Sequence, residues 1–320
     1  MSEGPEVRRT ADRLQEALAG RVIEGVEFRR RSGGLSTAVE ARILGARVRR
    51  VRTFGKHLVV DFTRGVYLHN HMMMFGKWRT YQRAAYDAGR AKPPPRSRRW
   101  HGPAAPAGPT DVRDDSRVRL VLRTPDVVAV EFNGPVLSFT TCDPARRVAI
   151  RRLGPDALAT PFHAAEARRR LRARGRKPLA DLLLDQTFVA GIGNKYESEL
   201  LSELGLDPFM RAGALAPREV ARLLVAIPEM LRRGYLQGGR TRPLQEGERA
   251  ASWDHRHWVF RRGGRPCWAC GTPVVTDRTR SARVTFFCPT CQPARATTST
   301  APRAVTAPSA RRTRRPSPSS

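Results

Sequence analysis

LDQTFVAGIGNK, running from Leu184 to Lys195, marks the passage from one helical segment to the next. Gly191 and Gly193 interrupt an apolar run, and glycines ahead of a helix let backbone N–H groups approach a phosphate closely. Asn194, opening that helix, is placed to add a side-chain contact. On both sides the apolar period is helical. Helices are expected over Ala164–Ala173, Leu179–Leu184, Lys195–Leu204 and Arg218–Arg233, with Gly175, Gly205 and Gly234 as punctuation.

Working outward, the segment before about residue 145 has a different period. Val48–Val51, His57–Phe62, Val66–His69, Val118–Leu122, Val127–Phe132 and Val136–Thr140 alternate or run apolar and β-branched. Asn133-Gly134 is a strong turn signal between the last two. One helix precedes the strands: Pro5 suits a first helical position, and Val7, Ala11, Leu14 and Leu18 share a face before Gly20. The fold class read from this pattern is α+β. An antiparallel β domain with one long helix (1–145) is followed by a helical domain (146–250), and a cysteine-bearing finger (255–293) comes last.

The chain has 320 residues with 59 Lys plus Arg against 29 Asp plus Glu, a formal charge of +30. Such a charge points to a polyanionic partner, nucleic acid, rather than a small metabolite. No run reaches the roughly 18 apolar residues of a membrane span. The N-terminus has neither a basic start nor an apolar stretch, so a cytoplasmic, nucleoid-associated monomer with no membrane contact is expected. Residues 294–320 are Ala, Thr, Ser, Pro and Arg with one Val and no acid, and read as a disordered basic tail. The stretch 88–115, with Pro93-Pro94-Pro95, reads as a disordered loop inserted in the first domain. Basic residues are overwhelmingly Arg; Lys occurs only at Lys56, Lys77, Lys92, Lys177 and Lys195.

Four of the five cysteines form Cys267-x2-Cys270 and Cys288-x2-Cys291, with seventeen residues between the pairs. This is the spacing of a four-thiolate Zn²⁺ site on a short hairpin, here Val274-Val275 and Val284–Phe287. Four thiolates leave no open position, so one structural zinc is expected. Cys142 stands apart as a small apolar residue.

Two further segments carry chemistry. Met1 precedes the small residue Ser2, so its removal would leave Ser2 with a free α-amine. Such an amine has a pKa of about 7.7–8.0, and a useful fraction is unprotonated near neutrality. It can form a Schiff base with a sugar aldehyde, and the adjoining Glu3 can serve as acid and base. In His69-Asn70-His71-Met72-Met73-Met74-Phe75-Gly76, Met and Phe read as core packing or as wedges that fill the space left by an extracted base.

Taken together, Glu3-Gly4-Pro5-Glu6, Phe54-Gly55-Lys56-His57-Leu58, Leu184–Asn194 and the ARVTFFCPTCQ segment from Ala282 occur in the order found in one family. The chain resembles the formamidopyrimidine-DNA glycosylase and endonuclease VIII family of base-excision repair, over about residues 1–293 apart from the 88–115 loop. His69–Trp78 is closer to the endonuclease VIII branch, which favours oxidised pyrimidines. The resemblance implies a β-sandwich joined to a helix–two-turn–helix domain with a zinc ribbon, and damaged DNA, duplex or single-stranded, in the cleft between. It implies a DNA glycosylase with abasic-site lyase activity. Ser2 would be the nucleophile, Glu3 the acid/base, and Lys56 the residue assisting β-elimination. Arg283 would hold the phosphate at the lesion, and Asn194, with Lys195 and Glu6 beside it, would lie at the DNA contact. Met73, Met74 and Phe75 would be the wedge. One departure matters. The family places proline, a secondary amine, where this chain has Ser2, so its imine must stay protonated to act as an electron sink. A catalytically weak binder of damaged or abasic DNA is the alternative that this departure favours.

Overall fold

The structure, a computed structural model, describes residues 2–29, 37–95, 110–246, 248 and 255–295. Helix α1 (Gly4–Leu18) opens the chain and buries Val7, Ala11, Leu14 and Leu18, the face expected from their spacing. Then follow β1 (Gly25–Phe28), the short α2 (Thr37–Ile43), and the hairpin of β2 (Val48–Phe54) and β3 (His57–Phe62). Next come β4 (Tyr67–His71), β5 (Lys77–Gln82), α3 (Arg83–Asp87), β6 (Val118–Arg123), β7 (Val127–Phe132) and β8 (Val136–Thr140). The eight strands form two four-stranded antiparallel sheets, in the orders β1-β6-β7-β5 and β2-β3-β4-β8. Their facing sides and α1 share one core that includes Leu58, Val60, Leu68, Leu120 and Leu122.

The pattern missed β1 and β5, both at sheet edges. An edge strand is half solvated, so its apolar alternation is faint. In β5, Trp78 is the only buried side chain.

The stretch 88–115 is not the uninterrupted loop that its prolines suggest. Its described ends, 88–95 and 110–115, pack over the outer face of the β6–β7 sheet. Ala91 and Val112 join Tyr86, Val121, Val128 and Val130 in a second core. Asp115 is buried and pairs with Arg117 at 2.6 Å. Strand β7 is buried along its whole length because it has a core on each face. Residues 96–109 lie outside the described residues. So does the tail from 296 onward, but Arg295, counted with it, pairs with Glu219.

The second half holds α4 (Val148–Arg151), α5 (Ala164–Ala173), α6 (Leu179–Leu184), α7 (Asn194–Leu204) and α8 (Pro217–Leu236). Strands β9 (Val275–Asp277) and β10 (Thr285–Phe287) form the antiparallel finger hairpin. Helices α5 to α8 close around Leu182, Phe188, Tyr196, Leu200, Leu223 and Ile227, all buried. Among the described residues no helix is long and apolar enough to cross a membrane.

Candidate active site

The start of α1 is driven into the start of α7. Gly4 N–H donates to the Gly191 carbonyl at 2.8 Å. Gly191 has φ +102, a backbone that glycine tolerates and other residues resist. Glu3 then lies directly over α7. Its carboxylate accepts the backbone N–H of Lys195 at 3.0 Å and of Tyr196 at 3.3 Å. A Cβ at Gly193 would fall 2.4 Å from the Glu3 carboxyl carbon, so glycine is required there for the approach.

The helix N-terminus expected to cradle a phosphate is therefore occupied by a carboxylate. The macrodipole and free N–H groups that attract a phosphate attract Glu3 equally well. Asn194 likewise does not open outward. Its Nδ2 donates to the Val284 carbonyl at 2.7 Å, tying α7 to the finger, and its Oδ1 is buried without a partner among the described residues.

Glu3 is 1 % exposed. Burial pushes its carboxyl above the usual glutamate value; Lys195 opposes this, Glu6 adds to it, and Lys56 with the Lys195 amide opposes it. A carboxyl held this way keeps its proton to a higher pH than an exposed glutamate, the direction that a group which must give one requires.

Glu6 and Lys195, expected to face DNA, instead face each other. Lys195 Nζ lies 2.5 Å from Glu6 Oε1, 3.1 Å from the Gly239 carbonyl, and over the Tyr196 ring. Glu6 also accepts the Glu3 backbone N–H at 3.2 Å, closing a capping box that pins the first turn of α1. Lys195 is buried, so its charge is spent inside the protein. The pair is a strut beneath Glu3.

Lys56 occupies the tip of the β2–β3 hairpin, where Phe54 pairs with His57 across Gly55 and Lys56. Gly55 N–H donates to Asp156 at 2.9 Å, which pins the tip to the helical domain. Among the described residues the Lys56 ammonium has no hydrogen bond or ion pair. Burial lowers its pKa below the usual lysine value; Glu3 raises it, Arg283 lowers it further, and Glu6 raises it. Lys56 thus lies within electrostatic reach of both Glu3 and Arg283, although the three come from the start of α1, a β hairpin and the finger. Arg283 is exposed. Behind the tip, His57 and His69 meet at 2.9 Å and the His57 and His71 rings meet edge to face. Burial, with neighbouring positive groups, pulls His57 and His69 down to about 4, so both are neutral at pH 7.

Ser2 lies beside the turn from β4 to β5. Its nitrogen donates to the Met73 carbonyl at 3.1 Å, and Met73 N–H donates to His71 Nδ1 at 3.3 Å. Core packing accounts for Met72, which is buried, and not for its neighbours. Met73, Met74 and Phe75 are 46 %, 41 % and 54 % exposed, three apolar side chains held out beside Ser2.

A cavity of about 200 Å³ opens on the other side of Glu3, between Glu6, Lys195, Arg256, His257 and Arg261. Its 256–261 wall was not singled out from the sequence. It is held from α7, where buried Glu199 accepts the backbone N–H groups of Trp258, Val259 and Phe260, each at 2.8 Å. An acid amid an apolar helix segment was the available signal, since a buried carboxylate needs donors.

The four finger cysteines converge, with all four sulfurs within 4.8 Å of one another. Cys267–Cys291, Cys270–Cys288 and Cys270–Cys291 sulfurs lie 3.9, 3.5 and 3.4 Å apart. Four sulfurs each about 2.3 Å from one ion would be roughly 3.8 Å apart, so the cluster suits a tetrahedral metal.

The family model described as formamidopyrimidine-DNA glycosylase N-terminal domain matches residues 1–134, and the H2TH domain model of the same enzyme matches 153–244. This chain belongs to the formamidopyrimidine-DNA glycosylase family. Membership makes it a base-excision DNA glycosylase with abasic-site lyase activity, working on DNA. It is 34 % identical over 295 residues to a probable endonuclease 8 of Streptomyces coelicolor, covering 91 % of this chain and 94 % of that protein. It is 30 % identical to the endonuclease 8 of Klebsiella pneumoniae, covering 91 % of this chain and all of that protein. The fold matches the Lactococcus lactis enzyme solved with abasic-site DNA, at TM-score 0.70 and 21 % identity, over 91 % of this chain and 100 % of that one.

Proposed function

We propose that this glycosylase removes oxidised bases, oxidised pyrimidines in preference, and that Ser2, Glu3, Lys56 and Arg283 carry the chemistry. The observation that carries the reading is the buried Glu3 carboxyl, next in the chain to Ser2 and within electrostatic reach of a Lys56 ammonium that has no hydrogen bond or ion pair among the described residues. After loss of Met1 the Ser2 nitrogen is an α-amine. Glu3 protonates the sugar ring oxygen as the base leaves, and the Ser2 amine takes C1′. Lys56 stabilises the phosphate that departs on β-elimination. Arg283 grips the phosphate flanking the lesion, and Met73, Met74 and Phe75 fill the vacated stack.

The cavity beside Glu3 is the space for the extracted base. The cationic groups in its wall and the neutral His257 suit the carbonyl and hydroxyl oxygens of an oxidised pyrimidine. His257 is pulled down to about 2 by burial and by Lys195, Arg256 and Arg261. Zn²⁺ is the fitting ion for Cys267, Cys270, Cys288 and Cys291; bound there it cross-links the finger that carries Arg283. The protein works as a monomer.

Single-turnover excision from duplexes carrying one oxidised pyrimidine or one oxidised purine tests the reading. Faster release of the pyrimidine is expected; faster release of the purine would overturn the preference.

A further inference from the structure

Ser2 differs from a proline in more than the class of its amine. It carries a hydroxyl on the carbon next to the amine-bearing carbon. Among the described residues that hydroxyl makes no hydrogen bond, and Ser2 is only half-buried. Among the described residues its one hydrogen bond runs from its nitrogen to the Met73 carbonyl at 3.1 Å. Both functional groups of a 1,2-amino alcohol therefore stand available where an aldehyde is delivered.

We propose that Ser2 closes its abasic-site imine to an oxazolidine, giving the enzyme a reversible covalent hold on the abasic site. This rests on Ser2 being the lyase nucleophile. The amine adds to the C1′ aldehyde and the carbinolamine loses water to form the imine. The Ser2 Oγ then bonds to C1′ while its proton passes to the imine nitrogen. A five-membered ring of C1′, N, Cα, Cβ and Oγ results, with no oxidant or reductant consumed. No change of fold is required, since the ring size is set by the covalent structure of serine.

The consequence is kinetic. The ring carbon is tetrahedral and has no C=N bond to receive electrons when C2′ loses a proton. β-Elimination waits until the ring reopens. A prolyl nucleophile has no hydroxyl and cannot pause in this way. The enzyme would thus cover the abasic site after base release and nick the strand slowly.

The test uses the full, Met-processed chain on duplex DNA with one abasic site labelled with ¹³C at C1′. Wild type, Ser2→Ala and Ser2→Cys are compared by carbon NMR, by strand incision and by borohydride trapping. Wild type should show a tetrahedral C1′ bonded to nitrogen and oxygen. Ser2→Ala should lack it and incise several-fold faster. Ser2→Cys, which closes to the firmer thiazolidine, should incise more slowly than wild type. Trapping of wild type and Ser2→Ala with no ring carbon, and equal incision by both, would overturn the oxazolidine and leave the lyase assignment standing. Failure of both proteins to trap would remove the imine, and both assignments with it.

Discussion

Lys56 and Lys195 are two of the five lysines among 59 basic residues, and both lie beside Glu3. Their surroundings are opposite. Lys195 is satisfied by a carboxylate, a carbonyl and an aromatic face. Lys56 is held in partial burial by a pinned hairpin tip and has no partner of its own among the described residues. The difference separates structure from chemistry. A buried cation whose donors are all used holds two segments together, whereas one left unsatisfied can meet an incoming anion, the part proposed for Lys56. Residue type and proximity to the site do not distinguish the two; hydrogen-bond accounting does.

The largest expected effect lies between them. Glu3→Gln removes the proposed acid/base while keeping the shape, so base excision should fall by about 10²–10⁴-fold, the usual contribution of a positioned acid/base. Incision of a preformed abasic site should fall less, and rapid-quench assays on both substrates would show the gap. Unchanged excision would place Glu3 outside the glycosylase step, and a fall of the same size on both would give it an equal part in strand incision.

Next comes the pair itself. Lys195→Gln leaves Glu6 short of a charged partner and should destabilise the fold by roughly 2 kcal/mol, in the range for hydrogen bonds to charged groups. Lys56→Gln should leave thermal unfolding unchanged and slow strand incision. Calorimetry beside an incision assay breaks the comparison if the two variants exchange behaviours.

A smaller effect concerns pH. The folded Lys56 has a pKa below the usual 10.5, so its charge, and any step that needs it, is lost on raising pH earlier than an ordinary lysine would lose it. The alkaline limb of the incision profile should move upward in Lys56→Arg, because guanidinium stays charged. Arg283→Ala should move it slightly upward too, since Arg283 is one cause of the lowered value. Chelation of the Zn²⁺ proposed for the four finger cysteines should mimic that shift by releasing the segment that carries Arg283.

Much of this was legible in the sequence where signals are local. The cysteine spacing placed all four sulfurs together, and the α1 stripe and the β3 and β7 strands came from periodicity alone. The proposed roles of Glu3, Lys56 and Arg283 came from their motifs and stand as proposals. What stayed hidden depended on distant partners. Lys195 and Glu6 became structural because α1 and α7 abut, which neither segment announces. Gly193 read as room for a phosphate, yet it makes room for Glu3. The ends of the 88–115 stretch looked like solvent loop because their few apolar residues, Ala91 and Val112, matter only once β7 offers a second face.

The most direct test of the central claim is borohydride trapping on abasic-site DNA, followed by peptide mapping of the adduct. The account predicts a single cross-link on the N-terminal peptide, at the α-amine of Ser2 after loss of Met1. A cross-link on Lys56, or tight binding with no cross-link at all, would contradict it.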